Sequence, residues 1–522
     1  MKYKEKFSTF SIIRKYNLNN IINILLIISI IFGLALKLLI SQNISLDSDM
    51  VYSGIASHVI WAEKNFFMIN FYAPQVDPYY FTDIYPFQLI PQIVTNFNPA
   101  ALKFVAFLMF CFIILVFGYI IFKISKNLTN SLIFSALVAN LLPLSYYYYA
   151  EIFHVGTVLL AGIILLLLID FPDLKPVISA TAIIVLVLTV YSDSLTLIWL
   201  VVPGLIYYIA VYVIPAMRNP KQENVVKKIC SIKGIWFVFL SLICTVFAVY
   251  VEKNLIPYLT LSNAPLQMVD VNTAVNQVEL FIKNLLLLYN SAIYQVLQFN
   301  SNQGILGYLI FFASLALLIL SIVSLRKQIH KKMVIFCLCS IGSGLIIISL
   351  TNLPQATRYL IFYGILIFVL ISLCYRDNGK KVFLVLIFIV ILLNGISGSL
   401  YIYTMTPPNQ DQQQLIAFLE DNNLTNGFGD YWDSNVITYL SNDVVTVRAV
   451  VVAGNRLYPF RWLSSESWYS DKEASKADFL LVKNVSAEER PYINHDNIQP
   501  LLTVKIPTRV LHFKSYDIYV FN

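Results

Sequence analysis

The chain has 522 residues, 58% of them hydrophobic and only 12% charged, against about 25% charged in an ordinary soluble domain. That excludes a soluble globular protein and makes lipid the main solvent. The formal net charge of +7 suggests nucleic acid only until its positions are read. The Lys/Arg clusters at 2–15, 123–126, 218–233, 326–332 and 376–381 all flank apolar runs, as cytoplasmic segments do, so no nucleic-acid partner is expected.

The basic start MKYKEKFSTFSIIRKYNLNN runs into a full-length apolar segment with no cleavage site. A span needs about 20 apolar residues. That rule predicts eleven spans, at 20–40, 101–122, 129–148, 153–170, 176–192, 195–215, 235–251, 304–325, 333–352, 359–375 and 382–403. With this number every basic cluster shares the side of the N-terminus, which is then cytoplasmic. The opposite, external side receives the loops 41–100 and 252–303, the turns YYYYAEIFH, YSDS and TNLPQATRY, and everything after 404. Cys111, Cys230, Cys244, Cys337, Cys339 and Cys374 lie in apolar segments or their cytoplasmic flanks. They lack metal or redox spacing and read as packing residues.

The first external loop opens with SLDSDMVYSGIASHVIWAEKNFF (45–67). Val51, Ile55 and Val59 recur at helical spacing among His58, Glu63 and Lys64, which predicts a short amphipathic helix along the interface. Asp49 stands where it would cap that helix, and a carboxylate held there is also placed to act as a general base. Polar residues beside the external span ends form a wider set: Asp47, Asp49, Asp83, Glu151, His154, Asp193 and Arg358. Singly, each reads as a solvated or capping group, with Arg358 snorkelling to the headgroups. Together they read as a site, because charge near the bilayer is costly and is kept for pairs, paths or chemistry.

Residues 404–522 differ in kind, with ten Lys/Arg against fourteen Asp/Glu and only short apolar runs. QDQQQLIAFLEDNN reads as a helix ending in Asn, while DVVTVRAVVV, ADFLLVKN and TRVLHFKSYDIYVFN read as strands. The fold class expected is a polytopic α-helical membrane protein, residues 1–403, followed by a small external α/β domain, residues 404–522.

Three stretches carry a family resemblance. DSDMVYSGIASHVIWAEKNFF (47–67) resembles the first external loop of membrane glycosyltransferases of the GT-C fold, where an acidic motif after the first span precedes a horizontal helix. ATRYLIFYGILIFVLI (356–371) is similar to the Arg-Tyr-Leu…Tyr stretch of the aminoarabinose-transferase and protein O-mannosyltransferase branch. GFGDYWDSNVITYLSNDVVTVRAV (427–450) resembles the external C-terminal domain of some GT-C proteins. The Asp-Glu form of the acidic motif is absent, which leaves Asp47 and Asp49 both open as its equivalent; Asp49, directly before the helix, is favoured. DYWDS (430–434) matches the Trp-Trp-Asp motif of oligosaccharyltransferases poorly, so Tyr431 and Trp432 read as domain core.

The resemblance implies transfer of a sugar from a polyprenyl-phosphate carrier to a glycan, lipid or protein acceptor on the external face. Asp49 would be the base, and Asp47 would share a divalent cation, Mg²⁺ or Mn²⁺, with it. Arg358 would meet the phosphate, and Tyr359 would bind substrate. Glu151, His154 and Asp193 would orient substrate, and Tyr79, Tyr80 and Asp83 would line the sugar pocket. A non-catalytic envelope-assembly scaffold is the alternative. A transporter ranks third, because no internal repeat is visible and the polar set lies at the surface rather than midway through the bilayer.

Overall fold

The computed structural model describes residues 2–73, 78–150, 153–170, 176–215, scattered positions in 239–250, then 267–289, 304–325, 331–353, 356–375, 380–486, 488–490 and 492–521. Glu151 and most of the expected span 235–251 lie outside these. Six helices among the described residues are long and apolar enough to cross a membrane: Asn19–Asn43, Pro99–Ser125, Ile305–Leu325, Lys332–Leu350, Thr357–Cys374 and Lys381–Thr404. The protein is therefore a multi-pass membrane protein, but the described residues do not reach eleven spans.

Two physical reasons account for the difference. Val155–Leu168, Val177–Ser192 and Leu197–Val213 are shorter apolar helices; the first belongs to the helix Val155–Asp170, whose described residues at 1.5 Å each cover roughly 24 Å, against the ~30 Å hydrocarbon core. The expected span 129–148 is two helices, Leu128–Ala139 and Pro143–Ala150, bent by 92°. Pro143 brings no N–H and disfavours helix at the residue before it. Lys37, buried in the first span, fills the break: its ammonium donates to the Leu141 carbonyl and lies 5.5 Å from the Tyr146 ring. A cation beside the exposed carbonyls of a helix end is electrostatically favoured.

Helix α1 (Lys2–Asn43) leads into α2 (Tyr52–Ala62), a π-helical segment Tyr80–Gln88, α3 (Leu89–Val94) and α4 (Pro99–Ser125). Asn98 caps α4, accepting from Ala100 N at 2.8 Å with Pro99 in the first turn. The loop between α1 and α4 is covered by the C-terminal region. There β1 (Phe71–Tyr72), β2 (Asn426–Gly429), β3 (Thr446–Ala453), β4 (Arg456–Pro459), β5 (Ser464–Ser465), β6 (Phe479–Lys483), β7 (Arg509–Phe513) and β8 (Tyr516–Val520) form two sheets. The larger has the order β4-β3-β2-β6-β8-β7, with β2 parallel to β3 and β6 and the other pairs antiparallel. The smaller pairs β1 with β5, Phe71 opposite Ser465, and so stitches the first loop to the C-terminal region.

The junction is dense with specific bonds. Leu46 N donates to Asn409 Oδ1 at 2.8 Å while Asn409 Nδ2 returns to the Leu46 carbonyl at 2.7 Å. Ser48 Oγ donates to the Tyr431 carbonyl at 2.6 Å, and Tyr439 Oη to Gln92 Oε1 at 2.8 Å. Gly54 lets the Tyr439 ring lie on α2, since a Cβ there would stand 2.3 Å from the ring. The expectation of an interfacial amphipathic helix is corrected here: Tyr52–Ala56, Ser57, Val59 and Ile60 of α2 are all buried. The helix is covered on most sides because the C-terminal region packs over the face assigned to water.

Candidate functional site

Three distant parts of the chain converge at the turn before α2. Asp49 Oδ2 accepts from Arg358 Nη1 at 3.3 Å, and the Tyr431 hydroxyl donates to Asp49 Oδ1. The Asp49 and Arg358 side chains are 16% and 30% exposed, so both are held yet reachable. Asp49 does not cap α2, whose N-terminus has no side-chain cap. Its carbonyl accepts from Tyr52 N at 3.2 Å, which leaves the carboxylate to Arg358 and Tyr431. The local cap-like bond comes from Asp47, whose Oδ1 accepts from Met50 N at 2.8 Å. Burial pushes the Asp47 carboxyl above its ordinary range, the Met50 N–H opposes this, and the neighbouring charge of Asp49 adds to it.

Arg358 is set by a short 3₁₀ turn, Thr357–Leu360, that opens a span. Its guanidinium lies 5.7 Å from the ring centres of both Phe153 and Tyr359, which gives it aromatic walls. Tyr359 is anchored through its carbonyl, which accepts from Trp199 Nε1 at 3.0 Å.

Behind these walls lies a second, fully buried group. His154 Nδ1 is 2.7 Å from Asp193 Oδ2, with both side chains at 0% exposure. The Tyr79 hydroxyl stands 3.3 Å from His154 Nε2, and the imidazole meets the Tyr359 ring edge-on at 5.3 Å. Asp83, also fully buried, accepts from Gly156 N at 3.0 Å and Thr82 Oγ1 at 2.7 Å. Burial raises its carboxyl to about 8 against those two bonds, and Asp193 nearby reinforces the shift. Tyr80 is buried as well and packs edge-on to Tyr85 at 6.1 Å.

The expected set therefore divides. Asp49 and Arg358 meet, with Tyr359 beside them and Asp47 in the same turn, bonded to Met50 N; His154, Asp193, Asp83 and Tyr80 lie inside; Glu151 falls outside the described residues. Tyr431 is the residue that sequence reasoning missed. The expectation that Tyr431 and Trp432 are domain core is corrected: Tyr431 is buried at the junction with its hydroxyl on Asp49, and Trp432 is 37% exposed. A signal was available. GFGDYW reads as a strand followed by a capped helix, and Asp430 caps the helix Tyr431–Leu440 by accepting from Trp432 N at 3.0 Å. Residues just past the carboxyl end of a parallel strand are where α/β sheets place their sites.

No three His, Cys, Asp or Glu side chains among the described residues converge as a metal-ligand set. Asp47 and Asp49 are hard donors of the type Mg²⁺ takes, but both Asp49 oxygens are engaged, by Arg358 and Tyr431, and Asp47 Oδ1 accepts from Met50 N.

No protein-family profile and no curated protein sequence matches the chain. Among solved structures it is similar to the Archaeoglobus fulgidus oligosaccharyltransferase in the apo form, at 11% identity and a TM-score of 0.44, covering 88% of this chain and 69% of that one. It is also similar to the oligosaccharyltransferase AglB of the same organism in complex with an inhibitory peptide and a dolichol-phosphate, at 13% identity and a TM-score of 0.48, with the same coverage. Similarity at this level assigns no role to any residue here.

Proposed function

We propose that the chain is a membrane glycosyltransferase that moves a sugar from a polyprenyl-phosphate carrier to an acceptor, with Asp49 as base and Arg358 as phosphate partner. The observation that carries this reading is the Asp49–Arg358–Tyr431 cluster, half-open at the end of the bundle where the first loop meets the C-terminal sheet. The placement of the basic clusters supports a cytoplasmic N-terminus and an external site. The change in composition near 404 supports division into a membrane domain, 1–403, and an external domain, 404–522.

The planar guanidinium of Arg358 pairs with phosphate oxygens in two parallel bonds. Arrival of the donor phosphate draws Arg358 from Asp49 and releases one carboxylate oxygen. Asp49 then accepts the proton of the acceptor nucleophile as that atom bonds to the anomeric carbon. The bond from that carbon to the phosphate oxygen breaks, its electron pair leaves with the phosphate beside Arg358, and configuration inverts. A divalent cation, if bound by Asp47 and Asp49, would neutralise phosphate charge. The buried His154–Asp193 pair acts by holding Tyr359, and through it Arg358.

The test is transfer from a panel of radiolabelled polyprenyl-phosphate sugars in membranes carrying wild type or Asp49→Asn. Loss of transfer at normal protein level supports the reading. Undiminished transfer by the variant removes Asp49 as the base.

A further inference from the structure

Two cavities lie along the seam between the first loop and the C-terminal region, at the end of α2 away from Asp49. The larger, about 580 Å³, is lined by Glu63, Lys64, Asn65, Asn70, Glu466 and Ser467 among others, with Ile69 its one aliphatic side chain. The smaller, about 230 Å³, shares Glu63 and adds His58, Asn442, Asp443, Arg448 and Trp468. We infer that this seam binds a neutral, polyhydroxylated saccharide chain, the part of an acceptor or product glycan that does not react.

The lining decides the ligand class. The larger cavity is lined mainly by hydroxyl, carboxamide and carboxylate side chains, and the smaller adds Ile55 and the rings of Phe97, Tyr439 and Trp468, flat faces on which a sugar ring packs. The larger cavity carries two carboxylates against one ammonium, an unfavourable lining for phosphate or an acidic sugar. A sugar ring presents donors all around it, and two fixed carboxylates wait for donors. Glu63 is held by Trp468 Nε1 at 3.0 Å and Ser467 Oγ at 3.3 Å. Glu466 is held by Arg461 Nη2 at 3.0 Å and Nε at 3.2 Å and by the Tyr72 hydroxyl. A carboxylate accepts about four hydrogen bonds, so both retain capacity. The frame is rigid as well, because β1 pairs with β5 and Glu466 N donates to the Asn70 carbonyl at 2.9 Å. The eleven residues of α2 set the larger cavity, at Glu63 and Lys64, roughly 16 Å from the turn that holds Asp49, the length of a few sugar rings, and the smaller, which reaches Ile55 and His58, lies between them.

This inference rests on the glycosyltransferase reading, and the experiment separates the two. Full-length protein in detergent is applied to an array of neutral and acidic oligosaccharides and of random peptides, as wild type, Glu63→Gln, Ser470→Trp and Asp49→Asn. Ser470 is exposed on the cavity wall, so tryptophan there plugs the seam without disturbing the core. Expected is retention on neutral oligosaccharides, lost by about tenfold or more in Glu63→Gln, the scale of a hydrogen bond to a charged group, lost also in Ser470→Trp, and kept in Asp49→Asn. Binding that survives both seam variants, no saccharide binding at all, or a preference for acidic glycans or peptides overturns it. Saccharide binding lost in both seam variants upholds it even if Asp49→Asn still transfers sugar, an outcome that sinks only the catalytic assignment.

Discussion

Two acidic clusters face the same end of the helical bundle, and what surrounds them separates their roles. Asp49 is 16% exposed and shared among the first loop, a late span and the C-terminal helix. Asp193 and Asp83 are at 0%, enclosed by His154, Thr82 and the backbone of Gly156. A group that water and substrate can reach can exchange protons and partners. A group sealed among fixed donors can only hold its neighbours in place, and losing one partner leaves the other buried and unsatisfied. Substitutions in the open cluster should therefore cost activity at constant stability, and those in the closed cluster should cost stability first.

The largest effect expected is that of Asp49→Asn, a loss of transfer of about 100-fold or more, the scale of a general base, at unchanged thermostability. A matching fall in thermostability would place Asp49 with the structural group. On the closed side, Gly156→Ala is expected to be the most damaging to folding. A Cβ there would stand 1.9 Å from the Thr82 carbonyl oxygen, a backbone atom that cannot swing away, and the bond from Gly156 N to Asp83 would be lost with it. Fluorescence-detected size-exclusion chromatography should show little monodisperse protein; a normal profile would mean that the Tyr80–Gln88 segment shifts freely.

How far this division was legible in the sequence depends on range. Asp47, Asp49 and Arg358 could be found because they flank apolar runs whose ends the membrane fixes, and β3, β6, β7 and β8 follow from their β-branched and aromatic runs, whereas the short β2 (Asn426–Gly429) and β4 (Arg456–Pro459) carry no such pattern. The burial of His154 and Asp193 could not, because helices with short connections fold over their own loops and no local pattern records the depth. The break at Asn140–Leu142 was hidden in the same way, since apolar length is blind to a bend and the Leu141 carbonyl that Lys37 meets lies 104 residues away in sequence. Tyr431 escaped because its partner is 382 residues away.

Between the extremes stands Tyr431→Phe, which removes one hydrogen bond to a carboxylate and leaves the ring in place. Transfer should fall by roughly tenfold, with thermostability nearly unchanged. Wild-type activity would show that the Tyr431–Asp49 contact serves only to dock the C-terminal region. Arg358→Lys lies nearer Asp49→Asn, with a loss on the order of 10², because an ammonium cannot reproduce the two parallel bonds of the guanidinium.

The last effect concerns pH and belongs to the closed cluster. Asp83 has its carboxyl raised from 3.8 to about 8, chiefly by burial. A raised carboxyl stabilises the fold fully below its unfolded value, and this contribution declines as pH rises through the window from 3.8 to 8. Thermostability followed across that window should therefore fall with pH in wild type. Asp83→Asn keeps the shape and an oxygen for Gly156 N but has no proton to lose, so its profile should be flatter over the same range. An unchanged slope would move the titration elsewhere. A lower slope accompanied by a changed pH profile of transfer per folded molecule would mean that the closed cluster reaches the chemistry after all, through Tyr359 and Arg358.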